Sequence, residues 1–474
     1  MNDNKNPTEK KPVTLSRKDF LKLVGAATGG LVAGVLDVGS LSASPLSQDE
    51  VNLRAVIINA PRIEAFQDIL PAFQEQNPNI NVEFIGIPGD DWTNFIQRVS
   101  VMLAGGQQLD NVELGLEGFQ LFTTNNILLQ LDDLVVNDPD MEDYFQDVAP
   151  NLIECVMSDG HLYNLAFLWA APGIYYNRNL FEQAGLERPE NDWTHEDFAE
   201  AARAISGLGD DIFGYAWPNR QFAGFIVWSY INATNLLEPI HSPEGGWLWD
   251  RFYPDMSEEE RAQRGGGYTW GMSNAHDANN VEALEFLIEL ERDGASFMTS
   301  ANFGDVIGPF TAGTVGMMPS HRAFIAAFAA NGMTPDDYDV VYHPQWKAQT
   351  ASIGASGLAV LTLSEHQEAA FALLKHITGR DTQATFISGG RHTASRRSVT
   401  NAPDQNEGIA PEHWENYYGA VDELESLPFA APANNRDYVA SMTKWFSLAV
   451  SGDMSAQEAM DGFTEEVDAI LAAS

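Results

Sequence analysis

Between residues 51 and 116 the hydrophobic pattern switches repeatedly between a period of two residues and a period of 3.6 residues. Val51–Asn59 and Ile80–Ile87 alternate apolar and polar residues, and Val112–Leu116 is a short apolar run, so all three predict strands. Arg62–Asn77 and Asp91–Leu103 carry apolar residues at helical spacing and predict two amphipathic helices. Because strands and helices alternate, the chain is predicted to be an α/β protein built on a doubly wound parallel sheet.

The length of the chain predicts more than one hydrophobic core. The chain has 474 residues, whereas a single core usually stops growing at about 250–300 residues. Hydrophobic residues make up 44% of the sequence and aromatic residues 11%, which is enough material for two cores and excludes general disorder. We therefore expect two domains.

The charge excludes several classes of partner. With 26 basic and 67 acidic residues the formal net charge is −41, so a phosphate backbone would be repelled and no nucleic acid is expected as a partner. Adhesion to anionic lipid is disfavoured for the same reason. Cys155 is the single cysteine, which excludes an internal disulfide and a cysteine-rich zinc site.

The lysines are concentrated at the N-terminus. Five of the eight precede residue 23, and the rest of the chain holds only Lys347, Lys375 and Lys444. So acidic a surface repels itself in dilute buffer, and this repulsion is screened at molar salt. We predict a halophilic protein with an acidic surface; an ordinary acidic secreted protein and an alkaline habitat remain the alternatives.

Residues 1–45 are predicted to be an export signal with a disordered N-terminus. Ser16–Lys22 is basic and resembles a twin-arginine signal in which Lys18 replaces the second arginine, and the apolar run Leu23–Leu36 follows. No cysteine follows this run, so no lipid anchor is expected. The protein is predicted to be exported to the periplasm or the outer face of the cytoplasmic membrane, with cleavage of the signal left open.

Three segments in the middle of the chain carry a family resemblance. Asp159–Ala166 follows D-G-x-x-Y-x-x-P with alanine for the proline, Tyr176–Leu186 follows Y-N-x-x-x-F-x-x-x-G-L, and Asp192–Phe198 follows T-W-x-E/D-F with tryptophan before threonine. Weaker matches continue in the family's order over most of residues 50–474. Together they resemble the family 1 extracellular solute-binding proteins of ABC importers, the group that contains maltose-binding protein.

The resemblance implies a periplasmic-binding-protein-like fold, in which two doubly wound α/β lobes are joined by a hinge and enclose a central cleft. By similarity, lobe I comprises residues 50–167 plus 318–355, and lobe II comprises residues 168–317 plus 356–474. Strands that cross between the lobes are expected near Leu165–Trp169, Gly316–Ser320 and Ile353–Gly357.

The implied function is that of an exported, non-catalytic subunit of an ABC importer. It would capture a sugar or oligosaccharide in the cleft and deliver it to a membrane permease, acting as a monomer without cofactor or metal. One alternative is a receptor for a polyamine, a glycerol phosphate or a metal chelate, although a phosphate would need several basic groups in the cleft. Another is an extracellular glycan-active enzyme with two cleft carboxylates.

Candidate ligand-binding residues are polar and aromatic side chains at strand ends and at the expected crossings, where a sugar would meet ring faces and hydrogen-bonding groups. Trp92 and Trp169 are as consistent with core packing as with ligand contact, and Arg322 with an ion pair. The full set is Asp90, Asp91, Trp92, Glu117, Trp169, Trp217, Phe222, His321, Arg322, Ser356, Asn435 and Tyr438.

Overall fold

The computed structural model describes residues 50–58, 62–89 and 91–473. The predicted export signal and Asp90 lie outside this range. Within it, none of the helices combines the length and the apolar character needed to cross a membrane.

The first part of the chain alternates strands and helices as predicted. Asp91 is the N-cap of the second helix, and its carboxylate accepts a hydrogen bond from the backbone N–H of Thr93 at 2.8 Å. In chain order the elements are β1 (Val51–Ile58), α1 (Ile63–Gln76), β2 (Ile80–Ile87), α2 (Trp92–Ala104), β3 (Asn111–Gly115), α3 (Leu116–Thr124), α4 (Asp132–Asn137), α5 (Met141–Asp147), α6 (Pro150–Glu154), β4 (Met157–Ser158), β5 (His161–Leu162) and β6 (Leu168–Ala170).

The middle of the chain forms a second α/β unit. Its helix α8 begins with a capping box, in which Thr194 and Asp197 satisfy each other's backbone N–H groups. The elements are β7 (Ile174–Asn177), α7 (Arg178–Gln183), α8 (His195–Ser206), β8 (Phe213–Pro218), α9 (Phe225–Ile231), β9 (Leu237–His241), α10 (Gly246–Phe252), α11 (Glu258–Ala262), β10 (Tyr268–Ser273), α12 (Ala278–Arg292), β11 (Ser296–Thr299), α13 (Gly304–Thr311), β12 (Val315–Pro319), α14 (Phe324–Ala330) and β13 (Tyr338–Val341).

The last part of the chain returns to the first unit and ends in two long helices that pack on each other. Its elements are β14 (Thr350–Val360), α15 (Gln367–Ile377), α16 (Arg380–Ile387), β15 (Thr393–Ala394), α17 (Arg397–Thr400), α18 (Asn416–Asp422), β16 (Glu425–Pro428), α19 (Asn435–Val450) and α20 (Ala456–Ala472).

Two mixed sheets organise these elements. The larger has seven strands in the order β15-β6-β14-β3-β1-β2, with β16 paired to β14. The smaller has five in the order β11-β8-β12-β7-β13. Strands β1, β2 and β3 run parallel, as the alternating pattern predicts, whereas β14 is antiparallel to β3 and β6. The antiparallel strand arises because the chain re-enters the first sheet from the direction of the second.

The chain passes between the sheets at residues 171–173 and again at residues 342–349. These passages touch, because His343 donates from Nδ1 to the carbonyl of Pro172 at 3.0 Å. The first passage is also fixed to the end of β12, where Oγ of Ser320 accepts from the N–H of Gly173 at 2.8 Å. A third passage, residues 429–434, leads from β16 into α19. Each of these three segments is a backbone connection between the parts of the molecule that are built on the two sheets.

The expected crossing near Gly316–Ser320 differs from what the structure shows. Strand β12 pairs with β7 on one side and β8 on the other, so it stays inside the five-stranded sheet. Strand β13 also belongs to that sheet, and all of β14 lies in the larger one. The lobe boundaries given by similarity, residues 50–167 plus 318–355 and residues 168–317 plus 356–474, stay a prediction.

Candidate functional site

A cleft of about 240 Å³ opens between the two sheets, where strands of both end. It is lined by the loops after β1, β2, β3, β8, β11 and β12, by the strands β6 and β14, by the loop before β15 and by the passage after β16. The lining residues are Ile58, Arg62, Trp92, Gly115, Glu117, Leu168, Trp169, Ala170, Arg220, Phe222, Phe303, His321, Ala323, Phe324, Gly354, Ala355, Ser356, His392 and Phe429.

Six of the twelve residues predicted from the sequence lie in this lining. They come from separate parts of the chain. The two sheets bring them to one place because strands β6 and β14 and the loops after β2, β3, β8 and β12 face the same gap. They are Trp92, Glu117, Trp169, Phe222, His321 and Ser356.

Other predicted residues lie in the protein interior instead. Trp217 and Tyr438 are fully buried core residues, and Asn435 is buried where its Oδ1 accepts from Nε2 of Gln221 at 3.0 Å. Asp91 caps helix α2 and lies on the surface beside the cleft. Asp90 is outside the described residues.

Arg322 is also buried, and its partners are backbone carbonyls and the side-chain amide oxygen of Asn406. The guanidinium donates to the carbonyls of His392 at 2.5 Å and Gln405 at 2.6 Å, and to Oδ1 of Asn406 at 3.2 Å. These bonds tie β12's exit to the loops after α16 and α17. The Arg322 side chain therefore supports the wall of the cleft from the protein interior and does not face the ligand space.

Sequence reasoning missed several lining residues: Arg62, Arg220, Phe303, Phe324, His392 and Phe429. A signal existed for the arginines, because Arg62 follows β1 and Arg220 follows β8, the same strand-end position that singled out other candidates. For His392 and Phe429 no local signal exists, since only the pairing of β15 and β16 within the larger sheet brings them to the cleft.

Glu117 and Trp92 meet at a glycine. A Cβ on Gly115 would lie 2.7 Å from Oε2 of Glu117 and 3.1 Å from Cε2 of Trp92, so only glycine leaves room for both groups. Burial raises the pKa of Glu117 to about 7; the nearby Arg220 opposes the rise and Asp91 adds to it. Near neutral pH this carboxyl group is therefore divided between a hydrogen-bond donor and an anion.

Arg62 enters the cleft from the start of helix α1. Its Nη1 lies 2.7 Å from Oε1 of the buried Glu113, whose other oxygen accepts from the N–H of Ile58 at 3.1 Å. Burial raises the pKa of Glu113, and Arg62 is the largest influence that opposes the rise. The Nε of Arg62 is buried and has no hydrogen-bond partner among the described residues.

Arg220 enters from the opposite lobe and is held in place by two contacts. Its Nη1 donates to the carbonyl of Ala301 at 3.2 Å, and its guanidinium carbon lies 4.0 Å from the ring centre of Phe303. Stacking on an aromatic face orients the planar guanidinium before any ligand arrives. Arg62 and Arg220 thus reach the same cleft from the two lobes.

Two histidines in the lining are held neutral. Burial, followed by the charges of Arg220 and Arg62, lowers the pKa of His321 to about 4. Burial, followed by the charge of Arg62, lowers the pKa of His392 well below its usual range. Nδ1 of His321 accepts from the N–H of Ala323 at 3.0 Å, so the proton of the neutral ring lies on Nε2. His321 can therefore donate a hydrogen bond to a ligand.

Aromatic rings form much of the remaining wall. The Trp169 indole donates to the carbonyl of Ala394 at 2.9 Å, which fixes its plane, and Phe222 lies 5.8 Å from Phe429 between ring centres. A Cβ on Gly354 would come within 2.7 Å of the Phe429 ring, so the glycine lets that ring lie against β14. Such walls suit a ligand with apolar ring faces and hydroxyl edges.

A cluster of possible metal ligands lies away from the cleft. Asp339, Glu412 and His413 offer oxygen and nitrogen atoms within 4.8 Å of one another. The guanidinium of Arg178 already donates to both carboxylates, and Nδ1 of His413 lies 2.7 Å from Oδ2 of Asp339. A cation therefore occupies the position that a metal would take, and the cluster acts as an ion-pair network.

Solved structures share the architecture described above. The sugar-binding protein MalE from Xanthomonas citri superposes with a TM-score of 0.72 at 18% identity, over 89% of this chain and 98% of that one. UgpB from Mycobacterium tuberculosis, solved in complex with glycerophosphocholine, superposes with a TM-score of 0.68 at 16% identity, over 90% of this chain and 99% of that one. These likenesses show a periplasmic-binding-protein-like fold.

Sequence relatives are also binding proteins. A provisionally named binding protein of Brucella abortus (strain 2308) is 29% identical over 210 residues, which is 42% of this chain and 47% of that protein. The chain thus spans about half the length of several curated relatives that it matches. The mannitol-binding protein of Pseudomonas aeruginosa is 23% identical over 463 residues, covering 90% of this chain and 95% of that protein.

The family itself is shown by a model that spans most of the chain. The model for the bacterial extracellular solute-binding protein matches residues 59–384, which include the whole smaller sheet, four of the seven strands of the larger sheet and most of the cleft. The resemblance seen in the sequence is therefore confirmed. The chain belongs to the family of bacterial extracellular solute-binding proteins.

Proposed function

We propose that the protein is the substrate-binding subunit of an ABC importer, which captures a sugar or a small oligosaccharide and delivers it to a membrane permease. Membership of an extracellular family implies that the protein is exported, and proteins of this family bind small solutes and work with ABC permeases. The observation that carries the proposal is the aromatic and polar cleft between the two lobes.

The lining supports a sugar rather than a purely apolar ligand. Ring faces such as Trp92 and Phe222 can pack on the C–H faces of a pyranose, while Glu117 and the neutral His321 can bond to hydroxyl groups. The volume of about 240 Å³ lies just below the range of about 300–1,000 Å³ typical of drug-sized ligands. In this conformation the cleft suits a small saccharide better than a long chain.

Delivery would follow from closure of the lobes. A ligand that contacts groups of both lobes binds the closed state more tightly than the open one, and so shifts the equilibrium towards closure. The backbone passages at residues 171–173, 342–349 and 429–434 would serve as the hinge. A permease that recognises the closed shape would then receive only the loaded protein.

The alternatives have less support. A retaining or inverting glycosidase uses two carboxyl groups, whereas Glu117 is the single carboxyl group among the described lining residues. A polyamine would meet Arg62 and Arg220, whose charges repel it. We therefore favour a receptor that releases its ligand unchanged.

A thermal-shift screen of the full chain against hexoses, disaccharides, polyols and polyamines tests this function. We expect a sugar to raise the melting temperature and to be recovered unchanged after incubation. A polyamine as the only stabilising ligand would contradict the sugar assignment, and consumption of the sugar would contradict the non-catalytic role.

A further inference from the structure

Four helices of eight or more residues begin at the cleft, and their N-termini give it a positive potential. Arg62 and Phe303 are the N-cap residues of α1 and α13, Trp92 is the first residue of α2, and Gly115 is the N-cap of α3. All four line the cleft, because each helix follows the C-terminal end of a strand that faces it. Each N-terminus carries about half a positive charge from its aligned peptide dipoles.

Two guanidinium groups add to this potential from opposite sides, and Glu113, 2.7 Å from Nη1 of Arg62, offsets part of the charge on that side. Arg62 belongs to the lobe of the larger sheet, and Arg220 follows β8 of the smaller sheet. The influence of both on the pKa of His321 shows that their charges act on the same space. With a net charge of −41 and only 26 basic residues, the meeting of two arginines in one small cleft runs against the composition of the chain.

Accepting the proposed function as the starting point, we infer that the solute is anionic: a sugar or sugar-like molecule whose carboxylate or phosphate group lies between Arg62 and Arg220. Guanidinium groups suit this role because their planar donors match the oxygens of either anion. An anion that contacts both arginines would also connect the two lobes, so its charge would favour closure. The small number of basic residues argued against a phosphate ligand when the sequence alone was considered. The fold, however, places two of them, Arg62 and Arg220, in the same cleft.

Glu117 is compatible with such a ligand. As its pKa is raised to about 7 by burial, the carboxyl group can hold a proton and donate to an anionic oxygen instead of repelling it. The aromatic wall still faces the ring of the solute, while the arginines recognise its acidic group. The aromatic part of the lining thus suits the ring of an acidic sugar, and the arginines suit its carboxylate or phosphate group.

Isothermal titration calorimetry on the full chain tests the inference with matched ligands. The probes are glucose, glucuronate and glucose 6-phosphate, the corresponding galactose and mannose sets, and glycerol with glycerol 3-phosphate. We expect at least one acidic probe to bind about tenfold or more tightly than its neutral counterpart, since a hydrogen bond to a charged group contributes more than one between neutral groups. Comparison of the carboxylate and phosphate arms identifies which anion is recognised.

The Arg220→Gln variant provides the second arm, because the Arg220 side chain is partly exposed and the substitution removes its charge. It should lower the affinity for the acidic probe by about 10- to 100-fold and the affinity for its neutral counterpart by less than about threefold. Arg220→Lys should recover part of the lost affinity. Arg203→Gln is the control, since Arg203 pairs with Asp293 at 2.8 Å on the surface. A circular dichroism melt verifies that each variant is folded.

The outcomes separate this inference from the proposed function. The inference of an anionic ligand would be overturned if a neutral sugar bound more tightly than its acidic derivatives. It would also be overturned if Arg220→Gln lowered the affinity for neutral and acidic probes equally. Either result would leave the proposal of sugar capture intact. Failure of every neutral and acidic probe to bind would overturn both.

Discussion

Gly115 is the residue on which the geometry of the cleft depends most directly. Its φ of −92° is accessible to alanine, so the cost of Gly115→Ala lies in the contacts of the new methyl group and not in the backbone. That methyl would meet Oε2 of Glu117 at 2.7 Å and Cε2 of Trp92 at 3.1 Å. Both side chains would have to move away from the space that a ligand uses.

We predict that Gly115→Ala lowers the affinity for the solute by about tenfold or more, because overpacking of this kind costs about 1–3 kcal/mol. Isothermal titration calorimetry with the ligand found by the screen measures the change. Gly308→Ala is the matched control, since its Cβ would meet nothing within 4 Å inside helix α13. Equal affinity of Gly115→Ala and the natural protein would contradict the role given to this glycine.

His343 lies in the hinge and makes the stability of the folded protein depend on pH. Burial lowers the pKa of His343 to about 3, against about 6.5 in an unfolded chain. Between these two values the unfolded chain binds a proton that the folded protein does not. The stabilisation is therefore complete above about pH 6.5 and is lost as the pH falls towards 3.

We predict that His343 accounts for a loss of about 2 kcal/mol in the free energy of unfolding between pH 7 and pH 5. Urea denaturation at the two pH values measures this, and the pH dependence should be smaller by that amount in His343→Asn. His276→Asn is the control because this ring is exposed. An unchanged pH dependence in His343→Asn would show that the hinge histidine is not the group responsible.

At the level of elements, local patterns defined the first unit well. The predicted strand Ile80–Ile87 has the observed bounds, and the other four predicted elements of this unit differ by one residue at most at each end. Alternation and caps are properties of neighbouring residues, so they can be read directly. The crossing expected near Gly316–Ser320 depended instead on pairing between β12, β7 and β8, which no local pattern specifies.

The segment that runs from the start of β9 to the end of β10 contacts the other lobe outside the hinge. We call residues 237–273 the insert. Glu154, at the end of α6, is buried and accepts from the N–H of Gly265 at 2.7 Å, from Arg264 at 3.2 Å and from His241 at 3.1 Å. All three partners belong to the insert, so this carboxylate makes several of the bonds that hold the insert against the other lobe. Trp247 adds another by donating from Nε1 to the carbonyl of Gly160 at 2.9 Å.

We predict that Glu154→Ala loosens the insert and speeds tryptic cleavage after Arg261 and Arg264. The free energy of unfolding should fall by about 1–3 kcal/mol, because buried donors lose their acceptor. Mass spectrometry of timed digests locates the cuts. Asp250→Ala, which removes an exposed partner of Arg261, should change the rate little, since exposed pairs contribute about 0–1 kcal/mol. Identical digestion of Glu154→Ala and the natural protein would refute the assignment.

For the whole molecule, the sequence predicted six of the nineteen residues that line the cleft, and the topology supplied the rest. Trp92 and Glu117 followed strands that were recognised, so their position at the cleft could be anticipated. Trp217 occupies a similar place in the sequence, but its side chain points into the core, and a shift of one residue along a strand reverses the facing side. Phe429 and His392 required knowledge of sheet pairing over long distances in the chain.

The net charge of −41 acts on the molecule as a whole, because the chain has 67 acidic residues and only 26 basic residues to pair with them. Most carboxylates therefore repel each other across the surface, and unfolding relieves that repulsion by separating them. Raising the salt concentration from about 0.1 M to about 1 M shortens the Debye length from about 10 Å to about 3 Å. The folded state should gain more from this screening than the unfolded chain.

We predict that the melting temperature rises with KCl over this range, by about 2 °C for each kcal/mol gained. The exposed pair Asp210 and Asp211 offers a test of the cause. Replacing both by asparagine should raise the melting temperature in about 0.1 M KCl and change it little in about 1 M KCl, because screening already removes the repulsion there. Differential scanning calorimetry measures both proteins. A melting temperature that is constant or falls with KCl would contradict the predicted adaptation to salt, and an equal effect of the double substitution at both concentrations would show that repulsion is not the cause.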